Sequence, residues 1–154
     1  MVNTTKHVNK ISRNQQKGKF TGKISNWASM GGADAAIQIV LRQPTSGTYQ
    51  IWQQKVLGGT PYAKKFVKVA SNSGVLAIVA ENKHAIGYIS TAYINHEVRQ
   101  LALSGHGENG TIERRLFLYA DTNRLSKSIK AFISYIYSDP AKQIIISNGF
   151  SPVQ

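Results

Sequence analysis

Cysteine is missing altogether from these 154 residues, which excludes disulfides, thiolate metal sites and cysteine nucleophiles. Acidic residues are scarce: seven Asp and Glu stand against nineteen Lys and Arg, a formal net charge of +12. A surplus of that sign gathers anions, whether phosphate, nucleic acid or lipid headgroups, without choosing among them. Basic residues are spread along the chain at Lys6, Lys23, Lys65, Arg99, Arg114 and Lys142. A general surface bias therefore accounts for the charge as well as a macromolecular target does. No apolar run reaches the roughly 18 residues of a membrane span. The opening stretch MVNTTKHVNKISRNQ lacks the apolar centre of a signal peptide, but a mature exported protein would have shed one.

Catalytic and metal motifs are also wanting. His7, His84, His96 and His106 make no i,i+4 pair, and the H-E-x-x-H pattern that begins at His96 ends on Gln100. GGTPYAKK at 58–65 lacks the spacing of a P-loop. Ser46 has no His or Lys marked by sequence as its base, and an unactivated hydroxyl is a weak nucleophile. No catalytic set, metal site or cofactor motif assembles, so the expectation is a binding protein without chemistry.

What is present describes a folded domain. Apolar residues make up 42% and charged residues 17%, and the length suits one domain spanning 1–154. Residues 1–10 are polar and read as extended or poorly ordered. Ser12 with Gln15 forms an S-x-x-Q capping pattern that starts a short helix. Residues 36–42, AIQIVLR, read as a buried strand ending at Arg42. A turn at Pro44–Gly47 leads into a helix from Thr48 to Leu57, stopped by Gly58 and Gly59. FVKVAS at 66–71 alternates as a strand, and Ser73 to Asn82 reads as a helix. HAIGYIS at 84–90 reads as a second buried strand, with Gly87 marking tight packing or a bend. VRQLALSG and RRLFLYA are expected as further strands, on either side of a glycine-rich loop at 105–110. Helices then start at Ser126 and at Asp139-Pro140, with Gly149 closing the last. Alternating strands and helices predict an α/β fold with an open mixed sheet flanked by helices.

In such sheets ligands sit beyond the carboxyl ends of strands. Arg42 occupies that place, and Ser46-Gly47-Thr48 opens the following helix. Amides at a helix start lack intrahelical partners and carry a partial positive charge, so an oxyanion can accept them. The hydroxyls of Ser46 and Thr48 add donors, Gly47 lets the backbone approach, and Arg42 supplies a planar charged fork. A plain capped helix beside a solvated arginine accounts for the same residues, and local spacing does not separate the two. Thr21 and Gly22 allow a ligand or hinge contact, though a turn explains them too. Trp27, Trp52, Tyr88, Phe117 and Phe132 could stack bases in a nucleic-acid-binding domain, but their apolar surroundings favour core packing. A basic nucleic-acid or protein-interaction domain is the alternative function.

Three segments together break the tie. FTGKISNWASMGGADAAIQIVLRQPTSGT at 20–48, VASNSGVLAIVAENKHAIGYIS at 69–90 and IKAFISYIYSDPAKQIIISNGFSPV at 129–153 resemble, in order, the phosphate-binding proteins of ABC importers. The resemblance spans about residues 8–153 and implies one lobe, with its C-terminal return, of a type II periplasmic-binding fold. It implies inorganic phosphate or a similar oxyanion as ligand, held by Arg42, Ser46, Gly47 and Thr48. Thr21 and Gly22 are secondary candidates. It further implies an ABC permease as partner, an exported location, and a missing N-terminal lobe or self-association to complete the cleft. Many of those proteins carry an acid between the Arg and the Ser. Pro44 and Thr45 stand there in this chain, which leaves phosphate against sulfate open.

Overall fold

The computed structural model describes residues 1–5, 7–104 and 112–153. Lys6, His106 and the glycine-rich loop expected at 105–110 lie outside the described residues. The chain divides into two compact units, Met1–Glu113 and Arg114–Gln154.

The first unit is a mixed sheet with helices on both faces. In chain order it comprises β1 (Val2–Asn3), β2 (Lys10–Ser12), α1 (Arg13–Phe20), β3 (Gln38–Arg42), α2 (Gly47–Lys55) and β4 (Val67–Val69). These are followed by α3 (Asn72–Glu81), β5 (Ala85–Ile86), β6 (Val98–Arg99) and β7 (Ala102–Ser104). The strand order is β4-β3-β5-β1-β6, with a separate parallel pair β2-β7. β3 runs parallel to both β4 and β5, whereas β1 is antiparallel to β5 and β6. This is the open mixed α/β sheet expected.

β3 explains the layering. Its run Ile39-Val40-Leu41 is buried throughout, as a strand covered on both faces must be. Ile39 and Leu41 join Phe20, Trp27, Ile86 and Tyr88 in one cluster. Val40 joins Val75, Val79 and Ala85 in another, beneath α3. Gly87 is small for a packing reason: a Cβ there would lie 2.5 Å from Val75 Cγ1. The N-terminal residues are more structured than their polarity suggests, because Val2 is fully buried between β5 and β6.

The second unit holds a 3-10 turn at Thr122–Arg124, α4 (Lys127–Ile136) and α5 (Asp139–Ser147). Two expectations are corrected here. Arg114–Ala120 forms no strand, and Leu116, Phe117, Leu118 and Tyr119 are 63, 68, 63 and 88% exposed. A strand needs an edge to pair with, and every regular element of this unit is helical. Phe117 and Phe132 are exposed, not core residues, because an α-hairpin this small has no interior large enough to enclose its apolar face.

Candidate functional site

The parallel pairing of β3 with β4 builds the site. Their register places Arg42 beside Val69, so both strands end on the same sheet edge. The helix that follows each one therefore starts there as well: α2 after β3, and α3 after β4. Arg42 thus meets the start of α3, 30 residues further along the chain. Its Nη1 donates to Asn72 Oδ1 at 2.5 Å, and its Nη2 donates to the Ala70 carbonyl at 2.9 Å. Its Nε–H is enclosed without a partner. Among the described residues no carboxylate forms an ion pair with Arg42.

The start of α2 differs from the other helix starts. Ser12, Ser71, Ser126 and Ser138 cap α1, α3, α4 and α5, each accepting from a backbone amide in the first turn. Ser46 occupies the same position at α2 but makes no capping hydrogen bond. Its own amide donates to the Gln43 carbonyl at 2.9 Å, and its carbonyl accepts from Gln50 at 3.1 Å. The amides of Gly47, Thr48 and Tyr49 are left without a protein partner among the described residues. Unsatisfied amides of a first turn form a ready acceptor-seeking surface. The structure therefore brings Arg42, Ser46, Gly47 and Thr48 into one β3–α2 connection, with the amides free and the guanidinium tethered sideways to α3.

Beneath this connection lies an aromatic floor. Trp52 of α2 stacks on Tyr88 at 4.6 Å between centroids, and Phe20 packs edge-on against Trp52 at 5.4 Å. Tyr62 Oη donates to the Tyr49 carbonyl at 3.0 Å and lies 3.3 Å from Tyr88 Oη. Burial pushes the Tyr88 phenol up to about 12, while hydrogen bonds involving Tyr62 and the Arg42 backbone, and the Arg42 charge, pull it the other way. Burial, followed by the bond to Tyr88, holds Tyr62 well above the usual phenol range. Both phenols therefore stay protonated and neutral at physiological pH, and the cation above them is not offset by a phenolate.

Thr21 and Gly22 end α1. The Thr21 hydroxyl donates to the Lys17 carbonyl at 2.9 Å, and Gly22 takes a left-handed turn with φ +80°. Sequence reasoning did not single out Asn72 as an Arg42 partner. The sequence reading began that helix at Ser73, whereas the structure begins it at Asn72 with Ser71 as its cap, and the position of Asn72 next to Arg42 depends on β3–β4 register. Among the described residues no group of three or more His, Asp or Glu gathers to hold a metal.

A family model described as PBP superfamily domain matches residues 1–114. The chain belongs to the PBP superfamily. Among curated relatives, the phosphate-binding protein PstS of Bacillus subtilis is 32% identical over 99% of this chain and 53% of its own length. PstS of Borreliella burgdorferi is 25% identical over 85% of this chain and 54% of its own. This chain thus spans about half the length of the curated relatives it matches. Among solved structures, a putative phosphate ABC transporter substrate-binding protein with bound phosphate, from Clostridium perfringens, aligns with TM-score 0.90 and 26% identity. That alignment covers 99% of this chain and 67% of that one. A phosphate transport receptor from Vibrio cholerae shares the fold at TM-score 0.73 and 24% identity. As a single lobe of a type II PBP-like fold, this PBP-superfamily chain matches a group of solute-binding proteins of ABC uptake systems.

Proposed function

We propose that this chain binds inorganic phosphate, or a closely similar tetrahedral oxyanion, as part of an ABC-type uptake system. The observation that carries the reading is the set of three amides at Gly47, Thr48 and Tyr49 that have no protein partner among the described residues, on the connection that begins at Arg42. Among the described α-helices the other four starts satisfy a first-turn amide with a serine cap, whereas α2 does not. The likeness to a protein with bound phosphate supports the same ligand. In this reading the Gly47 and Thr48 amides and the Ser46 and Thr48 hydroxyls donate to ligand oxygens, and Arg42 adds charge-assisted bonds from its remaining Nη hydrogens. Thr21 and Gly22 are scaffold: the Thr21 hydroxyl proton is already committed to Lys17. The site is a binding site, with no group placed to break a bond.

A complete cleft would close a second lobe over the anion by hinge motion and present it to a membrane permease on the outer side of the membrane. The second lobe would come from a longer chain or from a separate subunit. One lobe alone binds weakly, because water keeps access to the anion. Isothermal titration of phosphate is the test. Arg42→Ala is expected to remove the binding heat, while Arg114→Ala, in the second unit, leaves it unchanged. Equal loss in both variants, or in neither, would refute the site.

A further inference from the structure

Two phenol hydroxyls beneath the α2 start have no part in the assignment above. Tyr62 and Tyr88 belong to the aromatic floor, where the rings alone could come from phenylalanine. A buried hydroxyl costs free energy unless it finds partners, and here the partners are specific. The Tyr62 proton is committed to the Tyr49 carbonyl at 3.0 Å. In the 3.3 Å contact between the two hydroxyls, Tyr88 is therefore the donor, because each hydroxyl carries one proton. That leaves the Tyr88 oxygen to accept, and the Arg42 backbone bonds to it. The result is one directed chain, from Arg42 through Tyr88 and Tyr62 to Tyr49.

Both ends of this chain lie on the connection that carries the unpartnered amides. Arg42 ends β3, and Tyr49 belongs to the first turn of α2. The two tyrosines come from elsewhere and have their own anchors. Tyr88 follows Gly87, which leaves no room for a Cβ against Val75 of α3. Tyr62 precedes Ala63, whose amide donates to the Phe20 carbonyl at the end of α1 at 2.8 Å. The Tyr62 ring also packs on Tyr49, with 4.5 Å between centroids. A serine cap would hold the α2 turn by occupying one of its amides. The phenols hold it through a carbonyl and leave the amides open.

We propose that Tyr62 and Tyr88 are positioning residues of the anion site, whose hydroxyls hold the first turn of α2 against the end of β3 in place of the cap that Ser46 does not make. Their protons are spent within the protein, so neither hydroxyl donates to the anion. This rests on the oxyanion reading of the α2 start and adds two residues that shape it. The relay acts through hydroxyls, so replacing either tyrosine by phenylalanine cuts it while keeping the ring contacts.

Titration calorimetry of phosphate and amide hydrogen exchange test this on wild type, Tyr62→Phe, Tyr88→Phe and the double variant. Tyr62→Phe should weaken phosphate by about three- to tenfold, the reach of one neutral hydrogen bond. Because Tyr62 carries the chain into α2, adding Tyr88→Phe should cost less than the sum of the two single losses. In the ligand-free protein the Gln50 amide donates to the Ser46 carbonyl at 3.1 Å. Its exchange should quicken in Tyr62→Phe while that of α3 amides stays unchanged. Wild-type affinity in Tyr62→Phe, or additive losses in the double variant, overturns the proposal. So does faster exchange shared equally by α3, which marks general destabilisation. If wild type binds no phosphate, the phosphate reading fails, and exchange at Gln50 alone decides the relay.

Discussion

At the scale of single residues, two interior positions carry the sharpest consequences. Gly87 lies under α3, where a Cβ would come within 2.5 Å of Val75 Cγ1 and 3.4 Å of Val79 Cγ2. The nearer atom is the stub of a β-branched side chain on a helix, which cannot swing away freely. Gly87→Ala is expected to cost about 1–3 kcal/mol through overpacking, read as a lower midpoint in urea unfolding. Lys19 is the other. Its side chain is fully buried with Nζ unpartnered, 5.1 Å from the Trp27 ring centroid. Gln16, one turn earlier, is buried as well, with Oε1 unpartnered. Burial drops the Lys19 amine from its ordinary 10.5 to about 7.

The sign of the Lys19 effect follows from linkage. Between about pH 7 and 10.5 the unfolded chain holds a proton that the folded chain has shed, so stability rises with pH. Below about pH 7 both states are charged and the burial penalty is fully expressed. Lys19→Met is therefore expected to raise the melting temperature most at pH 6 and progressively less toward pH 10. The size is on the order of a few kcal/mol at the acid end. A melting-temperature gain that is the same at all pH values would show that folding leaves the Lys19 amine's proton affinity unchanged.

Secondary-structure elements show which local rules governed and which were overruled. The start of α1 is a capping box: Gln15 N donates to Ser12 Oγ at 3.1 Å, and Ser12 N donates to Gln15 Oε1 at 2.8 Å. Ser12→Ala is expected to cost about 1 kcal/mol, measured by thermal unfolding. The same type of residue does different work at Ser46, where a cap was available and was not used. For α2, a serine before a helix was legible in the sequence, but its failure to cap was not. The difference lies in how the β3–α2 turn aims the hydroxyl, which depends on backbone angles that a residue name does not fix. Strands fared unevenly for a related reason. β3 was readable because its apolar run is long and β-branched, whereas 114–120 has the composition of a strand without a partner.

For the molecule as a whole, charge and size separate the oxyanion reading from a nucleic-acid one. A polyanion bound by a surface of net charge +12 would release counterions and lose affinity steeply with salt, by about 10³-fold or more between 50 and 200 mM for six or more phosphate contacts. An anion held by oriented amides and one arginine has no such dependence. Phosphate affinity is expected to change less than about tenfold over that range, by calorimetry in sodium chloride. A steep loss would favour the nucleic-acid alternative.

Taken alone, the sequence determined what is local. It set the serine helix starts, the buried strand of Ile39, Val40 and Leu41, the tight packing at Gly87, and the neighbourhood of Arg42 with Ser46, Gly47 and Thr48 on one short connection. Those features depend on residues within a few positions of one another, where side-chain chemistry and backbone preference suffice. Only the tertiary structure decided that Arg42 is held by Asn72, that Lys19 and Gln16 are interior, and that Leu116–Tyr119 stays unpaired. Each of these depends on strand register or on a covering partner, brought together across tens of residues by packing that no single stretch encodes.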